Sequence, residues 1–142
     1  MITGVGTDLI HLDRIEKVQI RSKQRFAQKI LGQQEYAVWQ NRTSLDPQRG
    51  LRYLAGRFAA KEALCKALGI GFRAPMRWHD FQLLNNENGQ PVWYFTGALA
   101  HYIQQRQLIF HTSLSDDGKM LISFVVAEKN SVSSFSSSPS IQ

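Results

Sequence analysis

Hydrophobic residues recur along this chain at two periods, a helical one mainly in the first half and an alternating one mainly in the second. The strongest helical pattern covers Leu51–Leu68, which is rich in Ala, Leu, Lys and Arg and is followed by Gly69. It predicts one long helix that ends at this glycine. Weaker helical patterns predict three further helical regions: His11–Leu31 in two segments, Gln34–Gln40 and Gly97–Gln107.

Alternation of apolar and polar residues predicts strands before and after the long helix. The chain opens with Ile2–Asp8, a short strand that has Asp8 at its end. The stretch Arg42–Arg49 is predicted as a loop because it contains Asp46 and Pro47. Helices come mostly first and hairpins last, so we predict an α+β fold in which helices pack on a small, mainly antiparallel sheet. The predicted hairpins are Asp80–Leu84 with Val92–Phe95 and Leu108–Leu114 with Met120–Ala127.

The length of 142 residues and the hydrophobic content of 43% suit a single domain. We predict that this domain covers residues 1–130 and that the Ser-rich stretch 131–142 is a disordered tail. No run approaches the roughly 20 apolar residues of a membrane span. The single cysteine, Cys65, cannot form an internal disulfide. These features predict a cytoplasmic protein without a membrane contact.

The chain is basic, with 17 Lys and Arg against 11 Asp and Glu and a net charge of +6. Such a surface attracts acidic proteins, phosphorylated cofactors or nucleic acid. No motif of an RNA- or DNA-binding module accompanies the charge, so a nucleic-acid-binding module is kept only as an alternative. Arg14, Arg21 and Arg25 would share one face of a continuous helix. This face is either a solvated basic surface or a docking surface for an acidic helix.

The long helix carries the main candidates for chemistry. Glu62 and Lys66 lie one helical turn apart, beside small alanines that leave room for a ligand. An exposed ion pair worth about 0.2–0.5 kcal/mol would explain them without any ligand. If Asp8 meets Glu62 in space, the two carboxylates suit Mg²⁺, which takes its remaining ligands from phosphate and water. Lys66, with Lys61 and Arg57 as further candidates, would then hold phosphate oxygens.

Two other features are weaker indications of a binding or catalytic site. Gly4-Val5-Gly6 lacks the third glycine of the dinucleotide-binding fingerprint, because Leu9 stands in its place, and no P-loop pattern occurs. His111 opens a strand-like segment, where a histidine is more often structural but can also bind phosphate or act as a base. The other histidines and the single cysteine have no zinc-ligand spacing.

Two segments taken together resemble the signature motifs of the acyl-carrier-protein synthase family. The first is Gly4-Val5-Gly6-Thr7-Asp8-Leu9-Ile10, and the second runs from Leu54 to Gly69 around Arg57-Phe58-Ala59-Ala60-Lys61-Glu62-Ala63. Their order and separation also match the family. The likeness covers residues 1–128 and continues through Arg25-Phe26-Ala27, Asn88-Gly89-Gln90-Pro91 and His111-Thr112-Ser113-Leu114-Ser115.

The resemblance implies a small, single-repeat 4′-phosphopantetheinyl transferase. Such an enzyme moves the 4′-phosphopantetheine group of coenzyme A onto a serine of apo acyl carrier protein, in fatty acid biosynthesis. It releases adenosine 3′,5′-bisphosphate, uses Mg²⁺ as cofactor, and works as a homotrimer with active sites between subunits.

The same resemblance assigns expected roles to residues of this chain. Asp8 and Glu62 match the Mg²⁺ ligands. Lys66 matches a phosphate contact, His111 matches a histidine near the bound cofactor, and the expected carrier-docking residues are Arg14, Arg21 and Arg25. Together with the candidates taken from the residues themselves, the expected catalytic residues are Asp8, Glu62, Lys66 and His111, and the expected cofactor contacts are Arg57, Lys61, Lys66, Gly69, Gly71 and His111.

Two positions depart from the family pattern: Ile70 stands where many members have Thr, and Asp116 stands where many have His. The first departure leaves the cofactor contacts near Ile70 open. The acceptor of the serine proton is also open, with Glu62, a water on the metal and His111 as candidates. A second alternative function is that of a paralogue that acts on a polyketide or peptide-synthetase carrier.

Overall fold

The computed structural model describes residues 1–130, which form five α-helices and five β-strands. The helices are α1 (Leu12–Ser22), α2 (Arg25–Ile30), α3 (Gln33–Leu45), α4 (Pro47–Leu68) and α5 (Gly97–Gln105). The strands are β1 (Ile2–His11), β2 (Phe81–Asn85), β3 (Pro91–Phe95), β4 (Leu108–Asp117) and β5 (Met120–Lys129), and one 3₁₀ turn covers Trp78–Asp80. The tail predicted at 131–142 lies outside the described residues.

The strands form two antiparallel sheets. β5 is the central strand of a three-stranded sheet with the order β1-β5-β4, and β2 pairs with β3 in a separate hairpin. In this register Asp8 of β1 lies opposite Ser123 of β5, and Ser123 lies opposite Leu114 of β4. Helices packed on small antiparallel sheets confirm the predicted α+β class.

The three-stranded sheet has one face toward α4, here called the inner face, and an opposite outer face. Side chains alternate between the two faces along each strand. Inner-face residues are buried: Gly6, Ile10, Leu121, Ser123, Val125 and Ala127. Outer-face residues include large, exposed apolar side chains: Val5, Leu9, Ile109, Ile122 and Phe124. Asp8 is two residues from both Gly6 and Ile10, and its side chain is therefore on the inner face.

α4 is the central element of the core, because most of its residues are buried from Gly50 to Ala67. Its first half packs with α1, α2 and α3, and its second half packs with β5, α5 and the β2–β3 hairpin. The Asp46 side chain accepts a hydrogen bond from the Gln48 backbone N–H, and Pro47 occupies the first helical turn. Gly69 ends the helix in the left-handed conformation, with φ of 75°. The predicted long helix is confirmed and extended at its N-terminus.

Two of the predicted boundaries are wrong for identifiable reasons. The loop predicted over Arg42–Arg49 is a single residue, Asp46, because the Asp-Pro pair starts α4 rather than terminating a loop. β1 continues past Asp8 to His11, so that Asp8 lies within the strand and not at its end. Within residues 1–130, no helix is both long enough and apolar enough to cross a membrane.

Candidate active site

Two glycines bring β1 into direct contact with α4. A Cβ atom on Gly6 would overlap the carbonyl oxygen of Ala63, and one on Gly4 would overlap that of Ala67. Only glycine leaves the strand backbone this close to the helix backbone. The Gly4-Val5-Gly6 pattern is therefore a packing motif that holds β1, and with it Asp8, against the flank of α4.

Asp8 and Lys66 form the first contact of the site. The Nζ of Lys66 donates to the carbonyl oxygen of Thr7 at 2.9 Å and lies 3.3 Å from Oδ1 of Asp8. The Asp8 side chain is 19% exposed and that of Lys66 is 56% exposed. The pair thus lies at the surface end of the β1–α4 contact, where a charged ligand can reach it.

Glu62 belongs to the same cluster. Burial raises the pKa of Glu62 and the nearby Asp8 carboxylate raises it further, whereas the positive charges of Lys66 and Arg14 lower it. Asp8 and Glu62 are therefore close enough to repel each other when both are ionised. The sequence predicted a metal site only if Asp8 and Glu62 lie near each other, and in the structure they do.

This donor set fits a hard divalent cation. Two carboxylates that repel each other are stabilised by a divalent charge between them. Ser123, opposite Asp8 on the inner face, is fully buried, and its hydroxyl has no hydrogen-bond partner among residues 1–130. Within residues 1–130, no three His, Cys, Asp or Glu side chains come together as a closed metal site. An Mg²⁺ ion at Asp8 and Glu62 would take its remaining ligands from phosphate and water.

The cofactor contact predicted for Lys61 is wrong, because its side chain is fully buried. Its Nζ donates to Oε1 of Glu35 at 2.6 Å and to the carbonyl oxygens of Ile30 and Trp78. Burial lowers the pKa of Lys61, and the Glu35 carboxylate opposes this shift. Lys61 therefore joins α4 to the end of α2 and to the 3₁₀ turn.

Glu35 is the partner that the sequence analysis missed. It is fully buried, and it accepts hydrogen bonds from the backbone N–H groups of Gly32 and Leu83 as well as from Lys61. Its position three residues after Gly32, in the first turn of α3, was the available signal, since a glutamate there commonly caps a helix.

Arg57 lies on a different flank of α4 from Glu62, which is five residues away and so about 140° around the helix. Its guanidinium donates to the carbonyl oxygen of Leu83 and to Oδ1 of Asn85. It lines a separate basic cleft of about 330 Å³, together with Arg42, Arg49, Arg52 and Tyr53. Arg57 therefore does not join Lys66 at a shared phosphate within one chain.

His111 lies on the outer face of the sheet. Its register partner on β5 is Val126, and Nε2 of His111 is 2.9 Å from Oε1 of Glu128. Since Asp8 is on the inner face, His111 does not reach Asp8 or Glu62 within the same chain. The loop that carries Gly69 and Gly71, by contrast, follows directly from the end of α4, and both glycines have positive φ.

The arginines predicted for carrier docking do not share one helix. Arg14 and Arg21 lie on the exposed side of α1, seven residues apart and so on one face. Lys23, with φ of 55°, interrupts the helix, and Arg25 opens α2. Arg14 is also placed over the Phe58 ring, 6.0 Å from its centroid, and acts on the charge of Glu62. The basic surface therefore begins beside the carboxylate pair.

Comparison with known sequences identifies relatives across nearly the whole described region. The sequence model of the 4′-phosphopantetheinyl transferase superfamily matches residues 4–121. The chain is 43% identical over 129 residues to a holo-[acyl-carrier-protein] synthase of Cupriavidus metallidurans, with 91% of this chain and 90% of the relative covered. It is 46% identical over 128 residues to a protein of the same name from Leptothrix cholodnii, with 90% and 97% covered.

Solved structures give the same result for the fold. The holo-[acyl-carrier-protein] synthase of Neisseria meningitidis superposes with a TM-score of 0.81 at 34% identity, covering 91% of this chain and all of the other. The Bacillus anthracis enzyme, in complex with CoA (3′,5′-ADP), superposes with a TM-score of 0.76 at 32% identity, covering 92% and 99%.

Proposed function

We propose that this chain, which belongs to the 4′-phosphopantetheinyl transferase superfamily, does its chemistry at the cluster of Asp8, Glu62 and Lys66. It is an enzyme that transfers the 4′-phosphopantetheine group of coenzyme A to a serine of apo acyl carrier protein and releases adenosine 3′,5′-bisphosphate. Holo carrier protein is the form used in fatty acid biosynthesis. The observation that supports the location is the convergence of two carboxylates and an ammonium group from β1 and α4.

In this proposal Asp8 and Glu62 hold Mg²⁺ beside the diphosphate of coenzyme A. The ion, when bound, offsets the negative charge of the diphosphate and polarises its P–O bonds. Lys66, more than half exposed and already beside Asp8, turns its ammonium group toward the phosphate oxygens and stabilises the leaving bisphosphate. Gly69 and Gly71 carry no side chains, and the space beside each of them is open where the cofactor would pass.

The transfer itself breaks the phosphoanhydride bond of coenzyme A and forms a phosphoester bond to the carrier serine. The serine oxygen of the carrier bonds to the β-phosphorus of coenzyme A, and the bond from that phosphorus to the bridging oxygen breaks. The serine proton passes to a base, and adenosine 3′,5′-bisphosphate leaves with the bridging oxygen. The groups of this family site that can accept the proton are Glu62 and, from a neighbouring subunit, His111.

We propose that the enzyme is a homotrimer with active sites between subunits. The outer face of the sheet supports this, because it exposes a continuous set of large apolar side chains, including Val5, Leu9 and Phe124. His111 lies on that face, and Arg57 lies in the adjoining cleft. Because neither residue reaches the Asp8–Glu62 cluster of its own chain, each would contact coenzyme A that is held by a neighbouring copy. A cytoplasmic setting is part of the proposal, since the lone Cys65 is a buried free thiol.

The acyl carrier protein is proposed to dock on α1 and the start of α2. Arg14, Arg21 and Arg25 are exposed there, and Arg14 is adjacent to Glu62. An acidic carrier would be attracted to this basic surface and would present its serine beside the carboxylate pair.

A combined activity and binding experiment tests the proposed site. Apo acyl carrier protein incubated with coenzyme A, Mg²⁺ and this protein should gain the mass of one phosphopantetheine group, and a chelator should abolish the gain. Glu62→Gln keeps the shape of the side chain but loses its charge, so transfer should fall at least about 100-fold.

Thermal unfolding gives a readout that does not depend on turnover. Mg²⁺ should raise the melting temperature of the wild type by relieving the repulsion between Asp8 and Glu62, and should not raise that of Glu62→Gln. Glu87→Gln, in the exposed turn between β2 and β3, is the matched control and should behave as the wild type. Near-normal transfer by Glu62→Gln at saturating Mg²⁺ would reject the assignment.

A further inference from the structure

An exposed aromatic ring lies in the loop that follows α4. Phe72 is 44% exposed, although it is a large apolar side chain, and it stacks on Trp78 with ring centroids 4.2 Å apart. Trp78 in turn contacts Phe58, the ring over which Arg14 is placed. A continuous row of aromatic rings therefore leads from the neighbourhood of Glu62 to the surface at Phe72.

Hydrogen bonds hold the middle ring of this row, Trp78, and its neighbour in place. The buried Nζ of Lys61 donates to the carbonyl oxygen of Trp78 at 3.0 Å and to that of Ile30 at 2.7 Å. Next to Trp78, the ring of His79 is hydrogen-bonded to the carbonyl oxygen of Gln28 at 2.7 Å. The 3₁₀ turn is thus tied to both α4 and α2. A surface that is already ordered loses little conformational entropy on binding.

A cleft of about 330 Å³ lies beside the stacked rings, and two cationic side chains, Lys29 and Arg77, line it. Its lining includes Lys29, Arg77 and His79 as well as Phe72 and Trp78. The acid that also lines it, Asp80, accepts a hydrogen bond from the hydroxyl of Thr96. The cleft therefore combines an apolar wall with a basic rim.

The basic rim is continuous with the proposed docking surface. Arg25 and Lys29 are one turn apart on α2 and both are exposed. Lys29 itself lines the cleft, and the exposed Arg21 near the end of α1 comes only four residues before Arg25 in the chain. One basic strip thus runs from α1 along α2 to Phe72.

We propose that this cleft is a second docking point for the acyl carrier protein and receives an apolar side chain that is flanked by acidic residues. The inference rests on the proposed function. The charge around the cleft and its continuity with the basic surface of α1 select the occupant. A carrier protein presents acids to the cations, whereas the pantetheine arm of coenzyme A is neutral, and its anionic end is expected against Arg57 and His111 of a neighbouring copy. Phe72 acts as the aromatic anchor of the contact.

The test separates carrier binding from cofactor binding. We would measure the affinity of the full-length protein for fluorescently labelled apo acyl carrier protein without coenzyme A, and the KM for each substrate in the transfer assay. Phe72→Ala should weaken carrier affinity and raise carrier KM about tenfold, with the KM for coenzyme A within twofold of wild type. Phe72→Leu should restore most of the affinity.

Two further variants complete the design. Lys29→Glu with Arg77→Glu should weaken carrier binding and reduce its salt dependence. Leu45→Ala removes an exposed apolar side chain at the end of α3, away from the strip, and should leave both affinities unchanged.

The possible outcomes are distinct. Unchanged carrier affinity in Phe72→Ala would overturn the proposal, and a raised KM for coenzyme A with normal carrier affinity would assign the cleft to the pantetheine arm instead. If the wild type bound the carrier but transferred nothing, the proposed function would fail, while the binding data would still decide the role of the cleft.

Discussion

Lys61 and Glu62 are adjacent in the sequence but occupy opposite environments. Lys61 is fully buried in the core, where it pairs with Glu35, whereas Glu62 is partly exposed beside Asp8 and Lys66. One position along a helix rotates a side chain by about 100°, which is enough to separate a buried structural charge from one at the proposed site. The family motif therefore combines a packing residue and a site residue in consecutive positions.

The burial of Lys61 predicts a large loss of stability when its charge is removed. Lys61→Met leaves the Glu35 carboxylate buried without its cation, and the free energy of unfolding should fall by about 3–5 kcal/mol. Urea denaturation measures this change. Lys17→Met, an exposed position on α1, should stay within about 0.5 kcal/mol of wild type. Equal stability of the two variants would contradict the structural role of the pair.

Cys65 gives a prediction that depends on pH. Burial raises the pKa of its thiol to about 12, so at pH 8 only ~10⁻⁴ of it is thiolate. A disulfide reagent should therefore not label the native protein at pH 8 over minutes, and the labelling rate should rise with pH until the thiol ionises. The same protein in guanidinium should react at once. Rapid labelling without denaturant would show that Cys65 is not buried as described.

At the scale of elements, the contact between β1 and α4 positions the site. Gly6→Ala would place a methyl group against the carbonyl oxygen of Ala63, and the strand would have to move away from the helix. We expect the free energy of unfolding to fall by about 1–3 kcal/mol. Transfer should fall as well, because Asp8 lies two residues further along the same strand.

Gly56→Ala is the matched control on α4. A Cβ atom at Gly56 would meet only Leu121, at an ordinary contact distance of 3.6 Å. The substitution should therefore be neutral or stabilise the helix by up to about 1 kcal/mol. Chemical denaturation of both variants checks the prediction, and similar losses of stability in both would mean that the glycines of β1 do not set the strand–helix distance. Transfer is compared between Gly6→Ala and the wild type, because Gly56 lines the Arg57 cleft.

The sequence predicted the helices and strands better than it predicted their boundaries and the contacts between them. α4 was evident because Ala, Leu, Lys and Arg favour helix over its whole length and Gly69 ends it. The boundary between α3 and α4 was missed, because Asp46 acts at once as the end of one helix and the cap of the next. Lys61 was misassigned because its buried partner, Glu35, is 26 residues away and no local pattern links the two.

At the scale of the whole molecule, the residues proposed to be catalytic do not all meet within one chain. Asp8 and Glu62 lie on the α4 side of the sheet, and His111 lies on the other side. The resemblance names all three residues as candidates, but the face on which each one lies depends on strand register, which a single sequence does not reveal. The exposed apolar outer face offers the surface through which a second copy can supply the missing contacts.

Mixing two inactive variants tests whether sites form between subunits. The Glu62→Gln chain keeps His111, and the His111→Ala chain keeps Glu62. A site between subunits is intact when the His111→Ala chain supplies Glu62 and the Glu62→Gln chain supplies His111. Random assembly after unfolding and refolding a 1:1 mixture should restore about a quarter of wild-type transfer. Each variant refolded alone provides the baseline.

Phe124→Asp, on the outer face, should separate the subunits in sedimentation measurements and abolish both native activity and this recovery. A mixture that stays at the baseline while remaining oligomeric would show that each chain supplies its own complete site.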